Sequence, residues 1–210
     1  MSTQRAAVRR PTDTRTLLLR TAERLFAARG VDNVSMREIA AAAGQANHSA
    51  VLYHFTDKRE LVNEMMLRHT EPVERAWRIA LDHMTAEGHD TLEGIVGLYV
   101  RPVVAKLDDA DGGTEFLQVI ADLMTSKSYP ILSLPAASGP GLLALASRMM
   151  AHLDFLPPNL VALRLLRAAT MLYGSIPQYL LASEVVGREE FVNDLIASIT
   201  AMLRTGAPPA

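Results

Sequence analysis

The chain contains no cysteine, which excludes disulfide bonds and thiolate-ligated metal sites. A secretory leader is not expected, because Pro11, Thr12 and Asp13 follow the first arginines where an apolar stretch would be needed. The uncharged run from Ser128 to Ser147 is interrupted by three prolines and two glycines, which argues against a membrane span. These absences predict a cytoplasmic protein with no membrane association.

Catalytic and cofactor motifs are also missing from the sequence. There is no Gly-x-Ser-x-Gly elbow, no Walker loop and no dinucleotide fingerprint. The six histidines lack the spacing of metal ligands, since His48 and His54 do not share a helical face and have no nearby carboxylate. We therefore predict that the protein is not an enzyme and has neither a cofactor nor a metal site.

Charge is distributed unevenly along the chain. Residues 1–70 carry eleven Lys and Arg against seven Asp and Glu, whereas residues 71–210 carry ten against sixteen. A basic N-terminal segment suits a nucleic-acid backbone, and an acidic remainder is repelled by it. The charge pattern alone is weak evidence, but it coincides with a motif in the same segment.

The first predicted helix is amphipathic and has a clear end. Leu18, Ala22, Leu25 and Phe26 recur at spacings of three and four, which places them on one helical face. Gly30 follows them, as expected where a left-handed backbone closes a helix. The apolar face predicts packing against further helices.

Two short helices are predicted next. Ser35 and Glu38 fit a capping box, in which each side chain bonds the other residue's backbone N–H. Gly44 makes a turn, and Asn47 is the expected N-cap of a third helix that continues through His54. Two short helices joined by such a turn form a helix-turn-helix, whose second helix enters the major groove of DNA.

This segment resembles the tetracycline-repressor (TetR-like) family of transcriptional regulators between Thr12 and about Arg68. The resemblance is carried by Ala22, Leu25, Phe26, Gly30, Val34, Ser35, Ile39, Ala40, Ala43, Gly44, Tyr53, Phe55, Lys58 and Leu61. The stretch from Gly44 to Phe55 is one residue longer than the commonest family spacing, which shifts Tyr53 by one position. The resemblance implies an all-α protein with a three-helix DNA-binding head, residues 1–56, and a helical ligand-binding and dimerising body, residues 57–210.

Candidate DNA contacts come from the motif. Side chains suited to base edges and phosphate oxygens are Gln45, Asn47, His48, Ser49, Tyr53 and His54. Ser35, Arg37 and Lys58 stand at helix starts, where backbone N–H groups also attract phosphate. Phe55 is predicted to pack against the first helix. The arginines before Pro11 either form an arm that reaches DNA or have no role in binding.

The body is predicted to be helical throughout, with no strand. Its helices are expected at Asp57–Met84, Thr91–Leu107, Thr114–Lys127, Gly141–Leu153, Pro158–Ser183 and Arg188–Arg204. Large apolar residues on the central helices mostly belong to an ordinary core. The resemblance implies that some of them line an effector cavity, for which the candidates are Trp77, Tyr99, Phe116, Gln118, Met124, Met171 and Tyr173. Gln118, Tyr173 and Arg101 are the polar candidates for orienting a ligand.

The last two helices carry more apolar surface than one core requires, which indicates either deep burial or a second copy of the chain. The resemblance favours a homodimer, with candidate interface residues Leu163, Leu166, Phe191, Leu195, Ser198 and Met202. The expected function is a repressor that binds a pseudo-palindromic operator in double-stranded DNA and is released by a small apolar effector. The alternative is an all-helical binding protein or enzyme that does not bind an operator.

Overall fold

The computed structural model describes residues 14–45, 53–87 and 90–206, and these residues form α-helices, short 3₁₀ turns and connecting segments but no strand. The helices are α1 (Thr14–Arg29), α2 (Met36–Ala42), α3 (Lys58–Glu87), α4 (Leu92–Val104), α5 (Gly113–Leu123), α6 (Pro140–Ala151), α7 (Pro158–Ala182) and α8 (Arg188–Arg204). The predicted all-α fold is confirmed. The predicted third short helix falls largely on residues 46–52, outside the described residues.

The head is held together by the apolar face of α1. Leu18, Ala22 and Phe26 are fully buried, and they belong to one cluster with Ile39 of α2 and Phe55. Phe55 was predicted to pack in this way, and its burial confirms the prediction. Burial of a large apolar side chain stabilises a fold by about 1.5–3 kcal/mol, so this small cluster fixes how α1 and α2 cross.

Backbone chemistry positions α2 relative to α1. Gly30 ends α1 with a φ of 80°, which is a left-handed conformation that glycine adopts without strain. The Ser35 and Glu38 side chains each bond the other's backbone N–H, which confirms the predicted capping box. These hydrogen bonds, together with the guanidinium of Arg29, lower the pKa of Glu38 to about 2. The start of α2 is thus tied to the end of α1 through the Arg29–Glu38 ion pair of 2.8 Å.

The longest helix, α3, connects the head to the body. Its start is capped by Asp57, which accepts the backbone N–H of Glu60 at 2.8 Å. Thirty residues give it a length of about 45 Å. Met65 in its first half belongs to the same buried cluster as Trp77 in its second half. The helix continues through Pro72 to Glu87, rather than restarting or ending at Met84.

In the body, α3 contacts α4, α5 and α6, and the last two helices pack on the outer side of this group. Helix α4 contacts α8, and α7 contacts both α5 and α8. After Pro102, α4 tightens into a 3₁₀ turn over residues 105–108. The predicted helix over 114–127 ends earlier, at Leu123, because the backbone and hydroxyl of Thr125 both bond the Asp122 carbonyl.

A long irregular segment, residues 124–139, follows α5 and contains two short 3₁₀ turns. Leu134 anchors it, since the side chain is fully buried. Across residues 14–45, 53–87 and 90–206, no helix combines the length and apolar character that crossing a bilayer requires. In the same residues, histidine and carboxylate side chains form no group of three able to hold a metal ion.

Replacing Ser35 with alanine should lower the free energy of unfolding by about 1 kcal/mol, because the first turn of α2 loses the hydroxyl that accepts the Glu38 N–H. Ser128, which is exposed and far from a helix start, provides the control. Urea unfolding of the two alanine variants measures the difference. Equal stability of the two would show that the capping box contributes nothing.

Candidate nucleic-acid interface and internal cavity

The predicted DNA-facing residues divide into three groups. Ser35, Arg37 and Tyr53 are exposed, and Tyr53 has 86% of its surface accessible. Arg37 makes no ion pair within the described part of the chain, so its guanidinium faces solvent. Gln45, His54 and Lys58 are half-buried. The remaining three predicted contacts, Asn47, His48 and Ser49, lie outside the described residues.

Lys58, which was predicted to contact phosphate, lies against two aromatic rings. Its ammonium lies 5.8 Å from the centre of the Phe26 ring and 5.1 Å from that of Tyr129. Burial lowers the pKa of Lys58, whereas the carboxylates of Asp32 and Glu38 oppose this shift. A phosphate contact by Lys58 therefore competes with two cation–π contacts, each worth about 0.5–2 kcal/mol.

Tyr129 belongs to the 124–139 segment, which also contacts Asp32 in the head and Arg59 at the start of α3. The Ser126 hydroxyl donates to Asp32 at 3.1 Å, and Arg59 donates to the Ser133 hydroxyl at 3.0 Å. These contacts are far apart in sequence and involve ordinary surface residue types. No periodicity or motif in the sequence could have predicted them.

A buried ionic cluster joins α1 to the body. The Glu23 carboxylate, only 2% exposed, accepts two hydrogen bonds from Arg68 Nη1 at 2.7 and 2.9 Å. His69 Nε2 lies 3.1 Å from the same carboxylate, and Arg68 also pairs with Asp111 in the turn before α5. We call Glu23, Arg68, His69 and Asp111 the hinge cluster. This cluster was not predicted from the sequence. The signal for it is that Glu23 lies on the apolar face of α1, four residues after Leu19 and three before Phe26.

The backbone approaches the hinge cluster closely at Gly112. This residue has a φ of 92°, and a Cβ atom there would lie 2.8 Å from Glu23 Oε2. Any other residue would be strained and would displace the carboxylate. At the opposite end of α5, Asp122 accepts the backbone N–H of Val31 at 2.8 Å. Helix α5 therefore holds the head at both of its ends.

A cavity of about 100 Å³ lies in the body between α3, α4, α5, α7 and the 124–139 segment. Its apolar lining consists of Met66, Val73, Trp77, Val103, Phe116, Ile120, Met124, Ile131, Leu132, Ala137, Leu142, Leu166 and Ala169. Its polar lining consists of Thr70, Glu74, Tyr99 and Tyr173. An apolar space with a few polar groups is the usual form of a small-molecule site.

Five of the predicted cavity residues line this space, namely Trp77, Tyr99, Phe116, Met124 and Tyr173. Gln118 and Met171 do not, and the reason is helical geometry. Each is two residues from a lining aromatic on the same helix, which rotates it by about 200° around the axis. Arg101 is also absent from the lining, since it pairs with Glu189 at 3.1 Å on the surface. We therefore no longer predict that Gln118, Met171 or Arg101 contacts a ligand.

Two side chains that line the cavity, Glu74 and Trp77, are held by hydrogen bonds to neighbouring backbone. Glu74 accepts the backbone N–H groups of Gly141 at 2.6 Å and Leu142 at 3.1 Å, so it caps the start of α6. The Trp77 indole N–H donates to the Tyr99 carbonyl at 3.3 Å. Burial raises the pKa of both Tyr99 and Tyr173, and the Glu74 charge adds to the rise at Tyr173.

The predicted interface residues are not equally accessible. Leu163 and Leu166 are each 39% exposed on α7, while Phe191, Ser198 and Met202 on α8 are half-buried. Leu195 is only 4% exposed and belongs to the core of the single chain, so it is not available to a partner. The broad apolar sector of α8 thus includes one side that packs inside its own subunit.

Comparison with known proteins identifies the N-terminal domain. Residues 18–65 match the family described as bacterial regulatory proteins, tetR family. No curated protein matches the chain in sequence. The match covers α1 from Leu18 onwards, α2, and α3 as far as Met65.

Solved structures share the fold over nearly the whole chain. A protein from Shewanella sp. PV-4 assigned to the TetR family of transcription regulators has a TM-score of 0.66 at 15% identity, covering 90% of this chain and 97% of its own. The TetR-family regulator PfmR from Thermus thermophilus has a TM-score of 0.55 at 19% identity, covering 95% and 100%. The superantigen PfiT has a TM-score of 0.52 at 19% identity, covering 90% and 97%.

These findings define the class of protein. The chain combines a TetR-type N-terminal domain with a helical body of the fold found in TetR-family transcription regulators. The resemblance that the sequence indicated is confirmed. Because PfiT shares the fold, the fold alone does not determine function, which has to be argued from the sites.

Replacing Glu23 with alanine should lower the free energy of unfolding by about 3 kcal/mol, because Arg68 and the buried His69 lose their shared acceptor. The control is Glu71→Ala, which breaks an exposed pair with Arg75 and should cost less than about 1 kcal/mol. Thermal or urea unfolding compares the two variants. A similar small loss in both would contradict the structural role given to the hinge cluster.

Proposed function

We propose that this protein is a DNA-binding transcriptional repressor that acts as a homodimer and is released from its operator by a small apolar effector. In this proposal residues 1–56 bind DNA, and residues 57–210 bind the effector and the second subunit. The protein works in the cytoplasm and is not an enzyme. The observation that carries the proposal is a physical connection between the cavity and the head.

That connection runs through Phe116 and His69. Phe116 lines the cavity, and its ring stacks on the His69 ring with centroids 4.7 Å apart and planes inclined by 21°. His69 in turn lies within hydrogen-bond distance of Glu23 on α1. A ligand that moves Phe116 therefore disturbs a buried contact of the DNA-binding head. A shift of this kind weakens DNA binding if the ligand binds the displaced conformation better.

The outward face of α7 and α8 supports the homodimer. Leu163 and Leu166 project from it, and the surface around Gly174 is open, since a Cβ atom at that residue would meet no other atom within 4 Å. Leu181 and Val185, at and beyond the end of α7, are 90% and 84% exposed. Two copies of a helix pair with such a face can form a four-helix interface, and a two-fold dimer places two heads on a pseudo-palindrome.

DNA binding is tested by gel shift with the DNA that flanks the protein's own gene. Replacing Asn47, His48 or Tyr53 with alanine should weaken specific binding by about 1–3 kcal/mol for each lost base contact. Arg37→Ala should weaken specific and non-specific binding alike and reduce the salt slope by about one. Arg75→Ala, an exposed arginine on the body half of α3, is the control.

If the four variants bind like the parent protein, the predicted DNA-contact residues are wrong. If the parent protein shows only salt-sensitive binding to all DNA, the repressor proposal fails. The alternative of an all-helical binding protein without an operator is then favoured.

The dimer is tested by placing a charge on the exposed face. Leu163→Glu should raise the dimer dissociation constant at least about a hundredfold, because an unpaired buried charge costs about 3 kcal/mol or more. Operator binding should fall with it. Leu143→Glu on α6, a leucine with 59% exposure, is the matched control and should leave the dimer intact. Sedimentation that shows a monomeric parent bound tightly to one operator would contradict the proposal.

A further inference from the structure

Two tyrosine hydroxyls stand out in the cavity. Tyr99 from α4 and Tyr173 from α7 both line it, and Tyr99 is only 5% exposed. Neither hydroxyl is among the hydrogen bonds formed within the described part of the chain. In that part, the Thr200 hydroxyl is the one side-chain polar atom that is fully enclosed without a partner. Because the tyrosine hydroxyls also lack a partner but are not fully enclosed, we infer that they face the cavity, where a ligand can reach them.

The charge of the lining restricts the ligand further. Among the lining residues Glu74 alone carries a charge, and none is a lysine, an arginine or a histidine. An anionic ligand would lose its hydration without gaining a counter-ion, next to a carboxylate that repels it. Glu74 would attract a cation, but each of its oxygens already accepts a backbone N–H group, from Gly141 and Leu142, and these bonds offset part of that attraction.

We infer that the cavity takes an uncharged, largely apolar molecule with an acceptor oxygen, such as a ketone, ester or lactone carbonyl, which accepts hydrogen bonds from Tyr99 and Tyr173. The inference deepens the proposed effector function and rests on it. The raised pKa of both phenols keeps them protonated, so they remain donors at any physiological pH. A ketone or ester oxygen has two lone pairs, so it can accept a hydrogen bond from each phenol at the same time.

The size of the ligand follows from the dimensions of the site. The cavity of about 100 Å³ is smaller than the roughly 150 Å³ apolar cavity known to hold benzene. Leu132 in its lining is 76% exposed, so the cavity opens to the surface beside the 124–139 segment. A monocyclic or short-chain molecule can place its oxygen between the tyrosines and extend towards Leu132.

The test uses four small probes of similar shape that differ in polarity, namely acetophenone, ethylbenzene, benzoate and benzyltrimethylammonium. Titration calorimetry on the full chain without DNA measures their affinities. Acetophenone should bind about thirtyfold more tightly than ethylbenzene, because two additional hydrogen bonds contribute about 1 kcal/mol each. Benzoate and the ammonium should bind at least about tenfold more weakly than acetophenone.

The combined variant Tyr99→Phe and Tyr173→Phe removes only the two hydroxyls. It should abolish the preference for acetophenone and leave the affinity for ethylbenzene unchanged. Tyr179→Phe, which alters a buried tyrosine that does not line the cavity, should behave like the parent. The inference is overturned if benzoate or the ammonium binds best, if the double variant keeps the preference, or if none of the four probes binds at millimolar concentration.

Failure of this inference differs from failure of the proposed function. The affinities are measured without DNA, so a protein that prefers acetophenone but never binds an operator refutes the repressor proposal alone. A protein that binds its operator but shows no preference for acetophenone refutes only the ligand chemistry. Release of the operator by acetophenone in the parent, and its loss in the double variant, would support both.

Discussion

The buried carboxylate of Glu23 is the interaction on which the arrangement of the head depends. A charge that is 2% exposed is tolerated only with close partners, and here they come from Arg68 and His69 on α3. Arg68 extends the contact to Asp111, in the turn that leads into α5. Three separate parts of the chain are therefore fixed by one carboxylate. Moving α1, α3 or the turn before α5 would expose or unpair a charge. The contact between the head and the body is therefore rigid, and a change in it costs free energy.

Two structural routes lead from the cavity to the head, and they differ in strength. The first passes from Phe116 through His69 to the hinge cluster and involves fully buried groups. The second passes through the 124–139 segment, which lines the cavity at Ile131 and holds the ammonium of Lys58 beside Tyr129. Its contacts are exposed or half-buried and are individually worth less. In the proposed mechanism the first route would therefore dominate the coupling between the cavity and the head, whereas the second would affect only the start of α3.

Local features of the sequence predicted local features of the structure. The cap at Ser35, the turn at Gly30 and the bounds of α8 depend on interactions within a few residues, and each was correctly predicted. Which side of a helix faces a cavity depends on tertiary packing. For that reason both Met171 and Tyr173 were predicted to line the cavity, although residues two positions apart on a helix point in directions about 200° apart. The prediction for Leu195 was wrong for a similar reason, because an apolar stripe does not say which neighbour covers it.

The free energy that a ligand could gain in the cavity is similar in size to the coupling free energy of known switches. Filling about 100 Å³ of apolar space contributes about 2 kcal/mol, judged from the cost of cavities in protein cores. A hydrogen bond to a buried phenol adds about 1 kcal/mol. Coupling between two sites typically amounts to about 1–3 kcal/mol, so a ligand that makes these contacts in only one conformation can alter DNA affinity substantially. In the proposed switch, hydrogen bonds from the Tyr99 and Tyr173 hydroxyls to the ligand would contribute both to specificity and to the free energy that alters the contact with Glu23.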